Sequence, residues 1–384
     1  MNKTQRNWFE EINYLRFIAI IGVLIIHTTD GTVSVHKLTG MTFTLIYLEE
    51  LFRFAVPMFI FISGFVLHNK YRSELPMREF YTKRFLVIYI PYIFFSVFYN
   101  IIGALTKNEG VIPYPDGFSS MTLNSIINSI LNFSSAGHFW YIKLILTFYI
   151  FYPIVIAYYE TIKKHFGAYT LVALFLSIII MYLFGWFVYP LDFGLSSPLR
   201  FLIYFLFGIY VNDNYEQVSR SLERPSSKKV TLFSVSIVSL PIISMFSWID
   251  QRCGTQFTNS IPNYAQLIII STAILYIMIF VFGLYLTLYY KPKIRILKEI
   301  GEYSYGIFMI HGIFHILFDN YIFPFFSISR MDLAYYVFLF IGMLLPSYYI
   351  VKRMLTNYLT TYIITGKLNS HWHQFMPLFS FLTN

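Results

Sequence analysis

Ten apolar segments, each long enough to cross or nearly cross a lipid bilayer, constrain what this chain can fold into. They cover residues 12–28, 46–68, 85–105, 138–158, 168–190, 199–212, 230–248, 265–289, 302–325 and 333–351. A helix needs about 20 apolar residues to span the hydrocarbon core. Only 12% of the residues are charged, whereas a soluble domain carries about 25%. The sequence therefore predicts an all-α, polytopic membrane protein.

Connecting segments that are rich in lysine and arginine alternate along the chain with segments that contain few of them. If the N-terminus is cytoplasmic, 20 of the 28 lie in segments on the cytoplasmic side. The cytoplasmic loops of membrane proteins carry the excess of positive charge. This distribution predicts ten transmembrane helices with both termini in the cytoplasm.

The same topology accounts for the net charge of +9, which we assign to cytoplasmic loops and not to nucleic-acid binding. The single cysteine, Cys253, excludes an internal disulfide and offers no metal cluster. We expect one integral-membrane domain over residues 1–384, with a short cytoplasmic segment, 1–11, and a cytoplasmic tail, 352–384.

The first apolar segment carries an arginine and a histidine. Arg16 and His27 are eleven positions apart, which on an α-helix is about 16.5 Å of rise and three turns plus roughly 20°. They therefore share one face, at a separation that suits the two ends of a long ligand. Ionisable groups at membrane depth are costly and are retained where they line a cavity or meet a partner. The alternative is that Arg16 snorkels to the cytoplasmic headgroups and His27 marks the outer helix end.

Two other segments carry basic groups. Lys83 and Arg84 begin the third segment at its cytoplasmic end, a position that fits lipid contact and equally the phosphates of a nucleotide-type donor. His311 lies about 15 Å along the ninth segment from Gly301, near the middle of the membrane. His315 follows one turn later, and no recognisable third ligand accompanies the pair, so we predict no metal site.

Aromatic residues surround a histidine at the outer end of the fourth segment. His138, Trp140 and Tyr141 fit an interfacial aromatic belt, and they also suit the stacking and hydroxyl binding of a sugar. Arg200 places a cation at the outer start of the sixth segment. Gly64, in the second segment, indicates close packing against another helix.

The order of these residues resembles the bacterial membrane acyltransferase-3 family, over almost the whole chain. Each stretch is loose alone, and together they are specific. The chain is most similar to stand-alone members of the intercellular adhesion protein C type, which act in surface poly-N-acetylglucosamine systems. The matching stretches are Arg16 to His27, Ser63-Gly64-Phe65, Phe80-Tyr81-Thr82-Lys83-Arg84 to Pro91, His138 to Tyr141, Arg200-Phe201 to Gly208, and Gly301-Glu302-Tyr303-Ser304-Tyr305-Gly306 to His311.

This resemblance implies a multi-pass O-acyltransferase of the bacterial cell membrane. It would move an acetyl or succinyl group from cytosolic acyl-CoA to a hydroxyl of a cell-surface or lipid-linked polysaccharide, such as an exopolysaccharide of the cell envelope. Acyl-CoA would be a donor substrate, and no tightly bound cofactor is expected. Membrane lipids and the glycan-synthesis machinery are expected partners, and nucleic acid is not.

The resemblance also implies roles for the candidate residues. Arg16, Lys83 and Arg84 would hold the donor phosphates at the cytoplasmic side. The catalytic residues would be His27, Arg16 and His311, with His27 as general base or as carrier of the acyl group. His311 would assist as acid, base or oxyanion donor. The acceptor would meet His138, Trp140, Tyr141 and Arg200.

Two other functions fit the pattern of buried charge. An exporter of a polysaccharide or small metabolite would also place charged groups and broken helices within the membrane. The two halves of the chain show no internal repeat, which disfavours that reading. A sensor or scaffold with an inactive acyltransferase body is the third reading, and the sequence alone does not exclude it.

Overall fold

The structure is a computed structural model, and it describes residues 10–29, 39–107, 114, 116–188, 198–223, 226–253, 264–290, 292–330 and 332–356. Every regular element within these residues is helical, which confirms the predicted all-α class. The α-helices are α1 (Glu10–Thr29), α2 (Gly40–Phe52), α3 (Ala55–Tyr71), α4 (Met77–Thr106), α5 (Leu123–Leu131), α6 (Trp140–Ile150), α7 (Tyr152–Phe166), α8 (Thr170–Val188), α9 (Pro198–Asp213), α10 (Tyr215–Glu223), α11 (Ser227–Cys253), α12 (Tyr264–Tyr290), α13 (Arg295–Glu302), α14 (Ser304–Leu317), α15 (Phe323–Phe325) and α16 (Leu333–Met354).

Seven helical stretches of the described chain are long and apolar enough to cross a membrane. They are Glu10–Thr29, Gly40–Tyr71, Met77–Thr106, Tyr152–Ile180, Ser271–Tyr290, Ser304–Phe325 and Leu333–Met354. A shorter apolar stretch, Val230–Phe246, lies in α11. The protein is therefore a multi-pass membrane protein, while the number of ten spans and the cytoplasmic side of both termini stay predictions.

Three charged residues fall within the second apolar segment, where α2 meets α3. Glu49 and Glu50 are buried, and Arg53 follows them at the break between the two helices. Its Nη2 lies 2.5 Å from Oε1 of Glu49, and its Nε lies 2.5 Å from Oε1 of Glu50. The guanidinium thereby offsets the cost of burying two carboxylates, and the segment continues through the membrane.

Glycines allow α3 and α9 to pack with their backbones in contact. A Cβ atom on Gly208 would lie 2.1 Å from the carbonyl oxygen of Phe61, and one on Gly64 would lie 2.2 Å from that of Phe205. Only glycine fits at such distances, as at small-residue contacts between membrane helices. The predicted close helix contact at Gly64 is thus confirmed.

The short helix α13 packs against the start of α1 and fixes its N-terminal end. A Cβ atom on Gly301 would lie 1.9 Å from the carbonyl oxygen of Asn13, so the two backbones touch. Nζ of Lys298 lies 2.8 Å from Oε1 of Glu10. These contacts hold the first turns of α1, which carry Arg16, against the part of the chain that leads into α14.

A buried carboxylate joins α3, α7 and α9. Asp213, at the end of α9, lies 2.9 Å from Nη2 of Arg72 and 2.5 Å from Nζ of Lys163. The hydroxyl of Tyr159 donates to the same carboxylate at 3.0 Å. The cationic partners are partly exposed while the Asp213 side chain is only 3% exposed, so this ion pair network joins the C-terminal ends of the three helices.

Candidate active site

Three histidines from separate parts of the chain meet inside the helical body. His27 comes from α1, His138 from the turn Gly137–Phe139 that precedes α6, and His311 from α14. The ring centroids are 5.0 Å apart for His27 and His311, 4.7 Å for His138 and His311, and 6.1 Å for His27 and His138. We call these three side chains the histidine cluster.

The helix backbone fixes the ring of His311. Its Nδ1 lies 2.8 Å from the carbonyl oxygen of Phe308, and because a carbonyl only accepts, this nitrogen carries the proton. The neutral ring then has its lone pair on Nε2. Among the described residues, neither this Nε2 nor that of His138 has a hydrogen-bond partner, and both are buried. Two imidazole nitrogens are thus available to a reactant.

Tyr99 and Gly312 complete the walls of the cluster. The hydroxyl of Tyr99 donates to the carbonyl oxygen of Met309 at 3.1 Å, and its ring lies 5.5 Å from that of His138. A Cβ atom on Gly312 would lie 2.7 Å from this hydroxyl and 3.0 Å from Cε1 of His138. The sequence analysis did not identify either residue. The one indication in the sequence is that Gly312 directly follows His311.

His315 holds the outer end of α1. Its Nε2 donates to the carbonyl oxygen of His27 at 3.1 Å, and its Nδ1 lies 3.9 Å from Oδ2 of Asp319. Asp319 is in turn held by Arg330 at 2.9 Å. One ring nitrogen of His315 is thus engaged by the backbone of α1. Within the described residues, no group of three or more His, Cys, Asp or Glu side chains is arranged to hold a metal.

Arg16 lies at the other end of the same helix, with a defined partner. Its Nη1 donates to Oδ1 of Asn13 at 3.1 Å, and Nδ2 of Asn13 donates to Oε1 of Glu302 at 3.1 Å. Tyr149 and Tyr141 lie within electrostatic range of the guanidinium. The hydrogen bond ties Arg16 to the buried Asn13, which simple snorkelling would not require.

Lys83 and Arg84 have different surroundings although they are neighbours in sequence. Lys83 is exposed and forms an ion pair with Glu79 one turn earlier. Arg84 faces inward, with its Cζ 5.6 Å from the ring centroid of Tyr149 and 5.7 Å from that of Tyr71. Tyr149 also lies within electrostatic range of Arg16, so both arginines have this tyrosine in their surroundings.

Tyr141 connects the arginine end to the histidine cluster. It is buried, it interacts electrostatically with Arg16, and its ring lies 5.2 Å from that of Phe308. The ring of Phe308 lies 5.0 Å from that of His138. A row of aromatic side chains therefore leads from the cationic end to the imidazoles.

The other two predicted acceptor residues lie apart from this row. The ring of Trp140 is 6.2 Å from that of Phe201, next to Arg200 at the start of α9. Arg200 is half-buried there and interacts electrostatically with Tyr276 of α12. Of the four residues predicted to meet the acceptor, the structure brings His138 and Tyr141 to the interior, places Trp140 beside α9 and has Arg200 in the first turn of α9.

Comparison with known proteins identifies the family to which this chain belongs. The model of acyltransferase family 3, described as an acyltransferase domain, matches residues 9–352. The chain belongs to this family. It is an acyltransferase, and the exporter without chemistry is set aside. A protein of Bacillus subtilis (strain 168) with the name "Putative membrane-bound acyltransferase YfiQ" is 23% identical over 321 residues, which cover 80% of this chain and 81% of that protein. No solved structure matches the chain.

Proposed function

We propose that this acyltransferase moves an acetyl or succinyl group from cytosolic acyl-CoA to a hydroxyl of a cell-surface or lipid-linked polysaccharide. The observation that carries the proposal is the arrangement along α1. Inward-facing arginines lie at its cytoplasmic end, and the histidine cluster lies about three turns further along the helix. The aromatic row through Tyr141 and Phe308 joins the two ends. A donor with a phosphate-bearing head and a long arm fits this plan.

The cationic end would receive the donor from the cytoplasm. Guanidinium groups bind phosphate oxygens through two parallel hydrogen bonds, and Arg16 and Arg84 both face inward beside Tyr149. Lys83, exposed and paired with Glu79, lies at the mouth and would make at most a first, screened contact. The thioester would then extend toward the histidine cluster.

His27 would carry the chemistry, by one of two routes. In direct transfer it takes the proton from the acceptor hydroxyl while the hydroxyl oxygen attacks the thioester carbon; the carbon–sulfur bond breaks and the thiolate is protonated. In the stepwise route an imidazole nitrogen of His27 attacks first and expels the thiolate, and the hydroxyl oxygen then attacks the acyl-imidazole. Both routes use His311 and His138, whose rings lie 5.0 Å and 6.1 Å from that of His27, to donate or accept protons.

The acceptor would approach from the opposite side of the membrane. The turn that carries His138 precedes α6 and is followed directly by Trp140, and Arg200 lies nearby beside Phe201. Aromatic rings and cations of this kind stack on sugar rings and bind their hydroxyl groups. A polysaccharide of the cell envelope, or its lipid-linked precursor, is the proposed acceptor class, with the glycan-synthesis machinery as a partner.

The test is acyl transfer in membranes that contain the wild-type chain or His27→Ala at matched abundance. Radiolabelled acetyl-CoA and succinyl-CoA are offered separately with envelope glycan extracts. Label should reach glycan with one donor, and only when His27 is intact. His165→Ala is the control, because His165 is exposed on α7 and bonds only to its own helix at Thr161 among the contacts that the structure gives it. Transfer that survives in folded His27→Ala protein contradicts the proposed role of His27.

A further inference from the structure

Three buried polar groups meet near the cytoplasmic end of the helical body without partners in the protein. They are the hydroxyl of Tyr71 at the end of α3, Nε of Arg84 in α4, and the hydroxyl of Tyr152 at the start of α7. Among the described residues none of these atoms has a hydrogen-bond partner. Tyr71 is 7% exposed and Tyr152 1% exposed. We call these three side chains the Arg84 cluster.

The three groups are held against one another by aromatic contacts. The ring of Phe80 lies 5.1 Å from that of Tyr71 and 5.3 Å from that of Tyr152, with which it stacks. Cζ of Arg84 lies 5.7 Å from the ring centroid of Tyr71. Tyr152 lies within electrostatic range of both Arg84 and Tyr71. The three side chains of the Arg84 cluster are therefore neighbours.

Leaving such atoms unpaired is costly for a folded protein. An unsatisfied buried donor carries its full desolvation penalty, and unpaired buried groups in native structures call for an explanation such as a ligand. Three of them in one place, contributed by three helices, are more than a local defect of packing. Phenylalanine at positions 71 and 152 would have kept the aromatic contacts without this cost.

The chemistry of the cluster selects an anion. A guanidinium offers only donors, and phenol hydroxyls can donate as well. The planar fork of arginine matches the geometry of phosphate oxygens, and two phenols beside it supply further donors at a low entropic cost. Glu160, exposed on α7, is within electrostatic range of Tyr152, and its exposure to water weakens that effect.

We propose that the Arg84 cluster binds a phosphate group of the acyl donor, with Tyr71 and Tyr152 as donor-binding residues, and that this group is the diphosphate which precedes the pantetheine arm. The inference rests on the proposed function. Its placement supports the diphosphate: Tyr149 contacts Arg84 and interacts with Arg16, and α1 leads from Arg16 to His27. The arm can thus run from the cluster along α1, while the adenosine end stays toward the exposed mouth near Lys83.

The experiment compares Tyr71→Phe and Tyr152→Phe with the wild-type full-length chain in nanodiscs. Each substitution removes one hydroxyl and keeps the ring. We expect the KM for acyl-CoA to rise about tenfold per hydroxyl, since a hydrogen bond to a charged group contributes enough for a factor of ten. The kcat should stay within about twofold, because the hydroxyls are remote from the histidine cluster. Thermal stability without donor should not fall, because neither hydroxyl has a partner in the described structure.

Tyr81→Phe is the matched control. Its hydroxyl donates to the carbonyl oxygen of Ile150 at 2.9 Å, so its loss should lower stability slightly and leave the KM for the donor unchanged. The same variants are then titrated with coenzyme A, dephospho-coenzyme A and pantetheine. The two phenylalanine variants should lose affinity for coenzyme A and dephospho-coenzyme A equally, and should bind pantetheine as the wild type does.

Each of the other possible outcomes contradicts one part of the proposal. Loss of affinity for coenzyme A only, with dephospho-coenzyme A unaffected, assigns the cluster to the 3′-phosphate and overturns the diphosphate. Variants that match the wild type with coenzyme A, but retain less phosphatidylglycerol than the wild type in nanodiscs of mixed lipid, show a lipid phosphate instead. If the wild type transfers acyl groups and both variants keep its KM, the inference fails alone. If the wild type neither binds coenzyme A nor transfers from any acyl-CoA, the proposed function fails with it.

Discussion

The rings of His138 and His311 lie with their centroids 4.7 Å apart, although one belongs to a turn before α6 and the other to the middle of α14. Both side chains are buried, and in the described structure both Nε2 atoms lack a hydrogen-bond partner. Two imidazoles at this distance cannot both carry a charge at low cost, since like charges in a site of low dielectric repel strongly. The pair is therefore suited to hold one proton and to pass it on.

Substituting His311 should reduce acyl transfer while leaving the fold intact. His311→Gln keeps polarity and much of the volume but loses the basic nitrogen, so we expect kcat to fall by 10²–10⁴, the usual contribution of general acid–base catalysis. His138→Gln should act in the same range. If the two rings act as one unit, the double variant should be scarcely worse than either single variant. A fall equal to the product of the two single effects would show that the histidines act independently.

Gly312 should be intolerant of a side chain. In Gly312→Ala the added methyl would lie 2.7 Å from the hydroxyl of Tyr99 and 3.0 Å from Cε1 of His138, so one of them must shift. We expect a loss of about 1–3 kcal/mol in the free energy of unfolding and a fall in kcat as His138 moves. Gly40→Ala is the control, since a Cβ atom there meets nothing within 4 Å. Full activity in Gly312→Ala would mean that the position of His138 is not critical.

Much of the site could be predicted because it lies on single helices. Arg16 and His27 are related by the helical repeat alone, and the depth of His311 follows from its distance to Gly301 along one helix. The meeting of His138 with these residues could not be predicted, since it depends on how α1, α14 and the turn before α6 pack together. Helix packing of this kind is a tertiary property that periodicity does not contain.

Lys83 and Arg84 show that residue type alone does not predict whether a side chain faces inward or outward. Adjacent residues on a helix point about 100° apart, so neighbouring cations can have different surroundings; the structure turns Arg84 inward and pairs Lys83 with Glu79 outside. Tyr71, Tyr99 and Tyr152 could not be distinguished among 33 tyrosines. They differ from the other tyrosines in their burial and in the hydrogen bonding of their hydroxyls, which is absent from the described structure for Tyr71 and Tyr152 and present for Tyr99. The pairing of Arg53 with Glu49 differs from these cases, because their i, i+4 spacing on one helix already indicates it, and the structure confirms it.

Asp213 should contribute more to stability than surface ion pairs do. Asp213→Asn removes the charge that Arg72 and Lys163 share and weakens the bond from Tyr159. We expect the free energy of unfolding to fall by about 1–3 kcal/mol, as for a buried hydrogen-bonded charge.

The control for Asp213 is Glu216→Gln. Glu216 pairs with Arg220 on the surface, where both side chains are about four-fifths exposed, and such a pair contributes about 0–1 kcal/mol. Unfolding of the two variants in detergent micelles, followed by intrinsic fluorescence, gives the comparison. Equal effects would show that the Asp213 network does not hold α3, α7 and α9 together.

Glu299 should make stability depend on acid pH. Hydrogen bonds from Lys352, then Tyr348 and Arg295, lower the pKa of this carboxyl on α13 to about 2. A carboxyl with a lowered pKa in the folded state stabilises the protein above its unfolded pKa, about 4.3, and this contribution is lost as the pH falls through the folded value. The Tm of the wild type should therefore exceed that of Glu299→Gln by a constant amount above about pH 5. The difference should shrink steadily between about pH 4.5 and 3, because protonation of Glu299 in the wild type then removes the negative charge that the substitution has already removed. A Tm difference that does not change over this range would mean that the charge of Glu299 is not what joins α13 to α16.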